Sequence, residues 1–296
     1  MSAILKISQL SLCLRYAGIS ERILRGISLA IDSGEVHGLV GESGAGKSIL
    51  GQTILDILPR IAVIESGTID FDGQNLLRLA PTQRRGLLGS EIALIPQDPM
   101  TALNPVRRIG QQLADTLVLH LKLNRKDALD RACELLEEVR IKHPRRALRQ
   151  YPHELSGGMR QRVLIAIAFS CKPRLIVADE STTALDVSVQ RQILRLIREL
   201  QVSSGTSILF ITHDLGVVAK ICDRVSIIHS GRILESDAVK RIFSMPEHEY
   251  TRALLKATPR YDHGKHQFRP IPKALTSTLQ LEAKEYDRRI RDSVDA

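Results

Sequence analysis

Residues 36–50 run VHGLVGESGAGKSIL. A short apolar stretch leads into a glycine-rich octet, and the octet leads into residues with helical spacing. Gly41 to Ser48, GESGAGKS, fits G-x-x-x-x-G-K-[ST] in the strand–loop–helix setting that gives this pattern its meaning. The glycines let the backbone curl so that successive N–H groups converge on phosphate oxygens. The helix start behind them adds partial positive charge. Gly41, Glu42, Ser43, Gly44, Ala45, Gly46, Lys47 and Ser48 are therefore candidate contacts to a nucleotide. Lys47 is placed to reach the β- and γ-phosphates, and Ser48 to ligate Mg²⁺. The competing reading is an ordinary glycine-rich strand–helix turn.

The rest of the chain is consistent with α/β architecture. Residues 3–40 alternate short apolar segments with turns, which predicts strands, partly antiparallel, with a turn at Asp32-Ser33-Gly34. SILGQTILDIL has helical spacing, and GTIDFDGQNLL reads as a hairpin around Asp72-Gly73. EIALIPQ, PRLIVAD and TSILFIT read as strands, VSVQRQILRLIRELQ as an amphipathic helix, and RVSIIHSGRILESD as a second hairpin. Residues 108–150 carry helical periodicity. Strands alternating with helices from about residue 35 predict a parallel sheet with a helical insertion. From about residue 258 the chain turns proline-rich and ends in a charged, weakly amphipathic helix.

A phosphate loop needs an acidic element to organise a metal. LIVADE, Leu175 to Glu180, supplies one: four apolar residues of a buried strand, then Asp179 and Glu180. Asp179 is the candidate Mg²⁺ ligand. Glu180 is the candidate general base for the attacking water. By itself such an Asp-Glu pair after a strand is more often a helix cap. A second phosphate-type helix start follows the first by more than a hundred residues: LSGGMRQR, Leu155 to Arg162. Ser156, Gly157 and Gly158 would present a hydroxyl and unbonded helix N–H groups to an anion.

In order, GESGAGKS, PQDP with Gln97, LSGGMRQR, LIVADE, ALD at 184–186 and ITHD with His213 resemble the motifs of the ATP-binding subunits of ABC transporters. The resemblance covers roughly residues 3 to 260. It implies a P-loop NTPase fold of the ABC ATPase kind, with a parallel-sheet core, an N-terminal antiparallel β subdomain and an inserted helical subdomain. The implied domain is 1–257, with the helical part at about 98–160 and a C-terminal extension at 258–296. In that family each ATP lies between two domains packed head to tail. The second phosphate motif then serves the nucleotide held mainly by the partner. By the same resemblance Gln97 senses Mg²⁺ and the attacking water. His213 contacts the γ-phosphate, and Asp186 touches the partner's site. Tyr16 is a candidate adenine-stacking aromatic, though equally a strand core residue. Ser181 stands where the family usually has proline, and a modest effect on hydrolysis at most is expected.

QDPMTALNP, GGMRQRVLIAIA, HEYTRALLKATP and RPIP resemble the oligopeptide/dipeptide/nickel importer branch. That implies a second ATPase subunit, paralogous or identical, two membrane permeases and a periplasmic solute-binding protein. Peptide is the first expected solute, with nickel or another small solute as the alternative, or an ABC ATPase outside transport. The tail has Glu249 where the branch normally has proline. Some relatives hold an iron–sulfur cluster with tail cysteines; no cysteine follows Cys222, so none is expected here.

Composition narrows the remaining choices. The net charge is +9, and Val106 to Gln150 carries eleven Lys/Arg against six Asp/Glu. That basic excess suits acidic loops or anionic headgroups, or simply a solvated face. There is no tryptophan and aromatics make up 3%, which argues against a stacking platform for nucleic acid. Cys13, Cys133, Cys171 and Cys222 are too far apart for a CxxC pair and read as free thiols. No signal peptide or membrane span is visible. The expected location is the cytoplasmic face of the inner membrane, held there by partners.

Overall fold

The structure, a computed structural model, describes residues 3–181, 186–258 and 270–294. The chain opens with two long strands, β1 (Ala3–Tyr16) and β2 (Ile19–Asp32), joined by a two-residue turn at Ala17 and Gly18, both at positive φ. Such turns match the twist of antiparallel strands. The Asp32–Gly34 turn then leads to β3 (Val36–Val40), whose five residues are all buried. The glycine-rich octet follows, and α1 (Lys47–Ile54) begins inside it. This helix is shorter than the apolar spacing suggests. Asp56 takes φ 56° and Pro59 lies just beyond, and a residue before proline disfavours helical backbone.

The predicted hairpin is β4 (Ala62–Phe71) and β5 (Gln74–Asn75), turning at Asp72-Gly73. Next come α2 (Pro81–Leu87), which the apolar pattern does not announce, and β6 (Ile92–Ile95). The helical segment comprises α3 (Pro99–Ala102), α4 (Ile109–Leu121), α5 (Arg125–Glu138), α6 (Pro144–Ala147) and α7 (Gly157–Phe169). Asp98 caps α3 and Asn124 caps α5 with their side chains, as short polar residues at helix starts do. Then follow β7 (Leu175–Asp179), α8 (Val187–Ser204) and β8 (Ser207–Thr212). Gly205 at φ 67° ends α8, the left-handed closure that glycine makes cheaply. The chain finishes with α9 (Leu215–Ile221), β9 (Arg224–His229), β10 (Arg232–Ala238), α10 (Val239–Ser244), α11 (Glu249–Ala257) and α12 (Lys273–Val294).

Two compact units result: Met1–Arg78 with Leu209–Ala296, and Leu79–Ile208. The first unit holds an antiparallel sheet in the order β2-β1-β4-β5. It also holds strands in which β9 lies between β10 and β3, antiparallel to the former and parallel to the latter. Val40, Leu215, Val218, Val225, Ile227, Ile242, Tyr250 and Leu279 form one buried cluster there. Leu279 brings α12 into that core, and Arg22 and Arg25 of β2 pair with Asp287 on the same helix. In the second unit β6 and β7 pair in parallel, Ile92 opposite Leu175. Leu113 and Leu117 of α4 are buried, as are Ala132, Leu135 and Leu136 of α5 and Val163 and Ile165 of α7. Among the described residues no helix is long and apolar enough to cross a membrane.

Candidate nucleotide site

Gly46, at φ 99°, is the N-cap residue of α1, and no side chain caps that helix start. The first N–H groups of α1 are thus not taken up by a side-chain cap, which is the property an anion-binding helix start needs. A Cβ at Gly41 would lie 2.1 Å from the Ile228 carbonyl oxygen, so only glycine lets the loop pass β9 so closely. Lys47 is buried, and its Nζ donates to the carbonyl oxygens of Gly41 and Glu42, each at 2.9 Å. The ammonium therefore spans the mouth of its own loop. Ser43 and Gly44 are exposed, Ala45 is buried and Ser48 is half-buried.

Two residues outside the motif hold Glu42. Tyr250 donates its hydroxyl to Oε2 at 3.2 Å, and His229 Nε2 lies 3.8 Å from the same oxygen. The two rings meet edge to face, with centroids 4.7 Å apart. Burial, with the Glu42 carboxylate beside it, pushes the Tyr250 phenol far above its usual range, so it remains a proton donor. Burial lowers the His229 pKa in spite of Glu42, and His248 adds to that. Only the HEYT run hinted at Tyr250, and nothing in the sequence placed it against residue 42.

In the second unit the two carboxylates end β7. Glu180 sits at φ 41°, an uncommon conformation for a non-glycine residue and one that clusters at functional sites. Gln97, in the loop after β6, donates Nε2 to Glu180 Oε2 at 3.2 Å. The amide orientation leaves Gln97 Oε1 as the end that can ligate a cation. Ser181 is buried, with its hydroxyl lacking a hydrogen-bond partner among the described residues. Asp186 flanks the start of α8 without capping it through its side chain; Ala184 and Leu185 lie outside the described residues.

Ser156 is the N-cap of α7, its Oγ accepting from Met159 N at 3.4 Å. It does the ordinary capping work and still leaves the glycine pair at the helix start. Gly158 faces Val189, whereas none of the described residues lies within 4 Å of a Cβ at Gly157, and its φ is not in the glycine region. Among the described residues, therefore, no contact requires a glycine at 157. His213 is exposed after β8; Asp214, not His213, caps α9 by accepting from Gly216 and Val217. Tyr16 is 74% exposed at the end of β1, which rules out the strand-core reading. In the second unit Gln97 follows β6 and Asp179 closes β7; in the first, the glycine-rich loop follows β3 and His213 follows β8.

The family model described as ABC transporter matches residues 24–183. The chain belongs to the ABC transporter family. A second model, described as the oligopeptide/dipeptide transporter C-terminal region, matches residues 234–292. The chain is 48% identical over 258 residues to the "Probable peptide ABC transporter ATP-binding protein y4tR" of Sinorhizobium fredii, covering 86% of this chain and 77% of that one. It is 43% identical over 274 residues to the oligopeptide transport ATP-binding protein OppD of Bacillus subtilis, covering 92% and 76%. Among solved structures, cbiO1 of Clostridium perfringens, part of the ABC transporter complex cbiONQ, superposes with a TM-score of 0.69 at 28% identity, covering 83% of this chain and 92% of that one. The chain is thus an ATP-binding, ATP-hydrolysing subunit of an ABC transporter, and its fold is that of the ABC ATPase. The reading as an ABC ATPase outside transport falls to the C-terminal match and to these relatives.

Proposed function

We propose that this ABC ATPase subunit energises the import of peptides, working with a second ATP-binding subunit, two membrane permeases and a periplasmic solute-binding protein. The solute assignment draws its support from the relatives and from the C-terminal match. Nickel or another small solute, which the sequence resemblance leaves open, is the alternative. The basic stretch of 106–150 suits acidic loops or anionic headgroups at the cytoplasmic face of the inner membrane.

For the hydrolytic cycle, the carrying observation is the Gln97–Glu180 hydrogen bond. Gly41 to Ser48 hold the phosphates through backbone N–H groups and Lys47, which exchanges its loop carbonyls for phosphate oxygens. Tyr16 stacks on the base. Ser48 in the first unit offers a hydroxyl, and Gln97 and Asp179 in the second offer an amide and a carboxylate oxygen, hard donors of the kind Mg²⁺ takes. When bound, the ion offsets charge on the β- and γ-phosphates. Glu180 accepts a proton from the attacking water, and Gln97 fixes the carboxylate that does so. His213 contacts the γ-phosphate. Ser156, Gly157 and Gly158 face the nucleotide held by the partner subunit, with Asp186 nearby; a glycine at 157 that no contact among the described residues requires suits that role. Hydrolysis then removes the group that joins the two halves.

The test is reconstitution of the complete transporter in proteoliposomes. Peptide added with its binding protein stimulates the ATPase several-fold, and Glu180→Gln abolishes the stimulated rate while nucleotide still binds. Stimulation by nickel but not by peptide would replace the solute assignment. An unaffected rate in Glu180→Gln would remove the role given to Glu180.

A further inference from the structure

The glycine-rich loop is supported from behind by the part of the chain that is farthest from it in sequence. Its Ala45 carbonyl accepts from Gly231 N at 3.1 Å. Gly231 belongs to the turn between β9 and β10, and its own carbonyl accepts from Arg25 N at 2.8 Å. The Arg25 side chain grips the same turn: Nη1 donates to the Ser230 carbonyl at 2.8 Å. The guanidinium is itself fixed by α12, with Nε and Nη2 donating to the two carboxylate oxygens of Asp287 at 2.9 and 2.8 Å. The turn has no slack. A Cβ at Gly231 would stand 1.9 Å from the Ile23 carbonyl oxygen. A second strut, the Tyr250 hydroxyl on Glu42, comes from α11.

We propose that Arg25, clamped by Asp287, and Tyr250 are positioning residues for the phosphate loop, through which the C-terminal region sets this subunit's affinity for nucleotide. The proposal rests on the nucleotide site given above. Backbone N–H groups bind phosphate well only when they already converge, and ordering them at the moment of binding costs affinity. Within the motif Ala45 N donates to Glu42 O, and the Lys47 ammonium rests on two carbonyls that it gives up when it turns to phosphate. The bonds from Gly231 and Tyr250 come from outside the loop and do not compete with phosphate. The planar guanidinium of Arg25 holds that turn through three nitrogens in a fixed fork, two on the carboxylate and one on the carbonyl, a geometry that a lysine's single nitrogen does not reproduce. A purely structural role for α12 is the competing account. Arg232 and Glu282 separate the two, because this ion pair, at 3.3 Å, also ties α12 to the sheet but does not involve Arg25, Asp287 or the glycine-rich loop.

The test uses the full chain and a non-hydrolysable ATP analogue, with binding read by calorimetry and by the nucleotide-induced rise in melting temperature. Arg25→Lys, Asp287→Asn and Tyr250→Phe each weaken binding about three- to tenfold, the scale of one or two lost hydrogen bonds. The Arg25→Lys/Asp287→Asn double variant loses no more than the larger single effect, since both act on one path. Glu282→Gln leaves affinity within twofold of wild type. In the assembled transporter the KM for ATP rises by the same factors and kcat holds within twofold. Wild-type affinity in Arg25→Lys and Tyr250→Phe, or an equal loss in Glu282→Gln, would overturn the proposal. Wild-type protein that does not bind the analogue would instead overturn the nucleotide site itself.

Discussion

Gly41→Ala tests whether the path of the phosphate loop against β9 is a requirement of function. The added methyl group would lie 2.1 Å from the Ile228 carbonyl oxygen and 2.9 Å from its Cγ2. A carbon needs at least 3.0 Å there, so loop and strand must part by about 0.9 Å. The obstacle is a backbone carbonyl within β9, which cannot rotate aside without giving up its place in the sheet. The displacement falls on the residue where the loop begins, two before Ser43 and three before Gly44. A misplacement of about 1 Å costs on the order of 10²-fold in turnover when it reaches the reacting groups. Overpacking adds roughly 1–3 kcal/mol of destabilisation. The expected outcome is a loss of about two orders of magnitude in kcat/KM for ATP in the assembled transporter, with weakened analogue binding and a lower melting temperature in the isolated chain. Gly157→Ala is the contrast. None of the described residues lies within 4 Å of its Cβ, so the melting temperature holds while transporter ATPase falls. If Gly41→Ala bound the analogue and turned over within twofold of wild type, the reasoning from this contact would be refuted.

Further outcomes follow from buried polar groups. Ser181→Ala removes a buried hydroxyl that has no partner among the described residues. Stability rises by about 1 kcal/mol and ATPase stays within twofold; a fall in melting temperature would contradict the reading. Glu35 accepts from His37 Nδ1 at 2.8 Å and from Asp32 N at 2.7 Å. Burial alone would raise its pKa, but these hydrogen bonds and the charges of His37 and Arg224 hold it below the ordinary value of 4.5. The stabilisation it contributes is therefore complete above about pH 4.5 and lost as the pH falls through the lower folded-state value. Thermal melts between pH 7 and pH 3 should show this loss, and Glu35→Gln should flatten the curve; a variant with the wild-type pH dependence would exclude the contribution.

What the sequence made legible was local and backbone-driven. The glycine-rich octet, the Asp179-Glu180 pair and the Ser156 helix start are patterns of adjacent residues. The two-residue hairpins at Asp72-Gly73 and Ser230-Gly231 appear as turn chemistry between alternating segments. Helix lengths were less legible, because closures such as Asp56 in α1 and Gly205 in α8 depend on single residues that the apolar period does not register. Long-range contacts were not legible at all. Arg25 and Asp287 are 262 residues apart, and Tyr250 and Glu42 are 208 apart. Each looks like one more surface charge or apolar-face aromatic until the sheet brings them together. The meeting of Gln97 with Glu180 lay between these cases: their resemblance to known motifs marked both residues, while the hydrogen bond between them is a product of β6 and β7 pairing in register.

Ser156, Gly157 and Gly158 are proposed to act on a nucleotide that another subunit holds. Ser156→Arg measures this most directly, because it fills the exposed start of α7 and leaves the chain's own glycine-rich loop untouched. The predicted result is analogue affinity in the isolated chain equal to wild type, with ATPase of the assembled transporter reduced at least a hundredfold, on the order of losing a preorganised anion-binding group. Weakened nucleotide binding in the isolated chain, or undiminished ATPase in the complex, would contradict it.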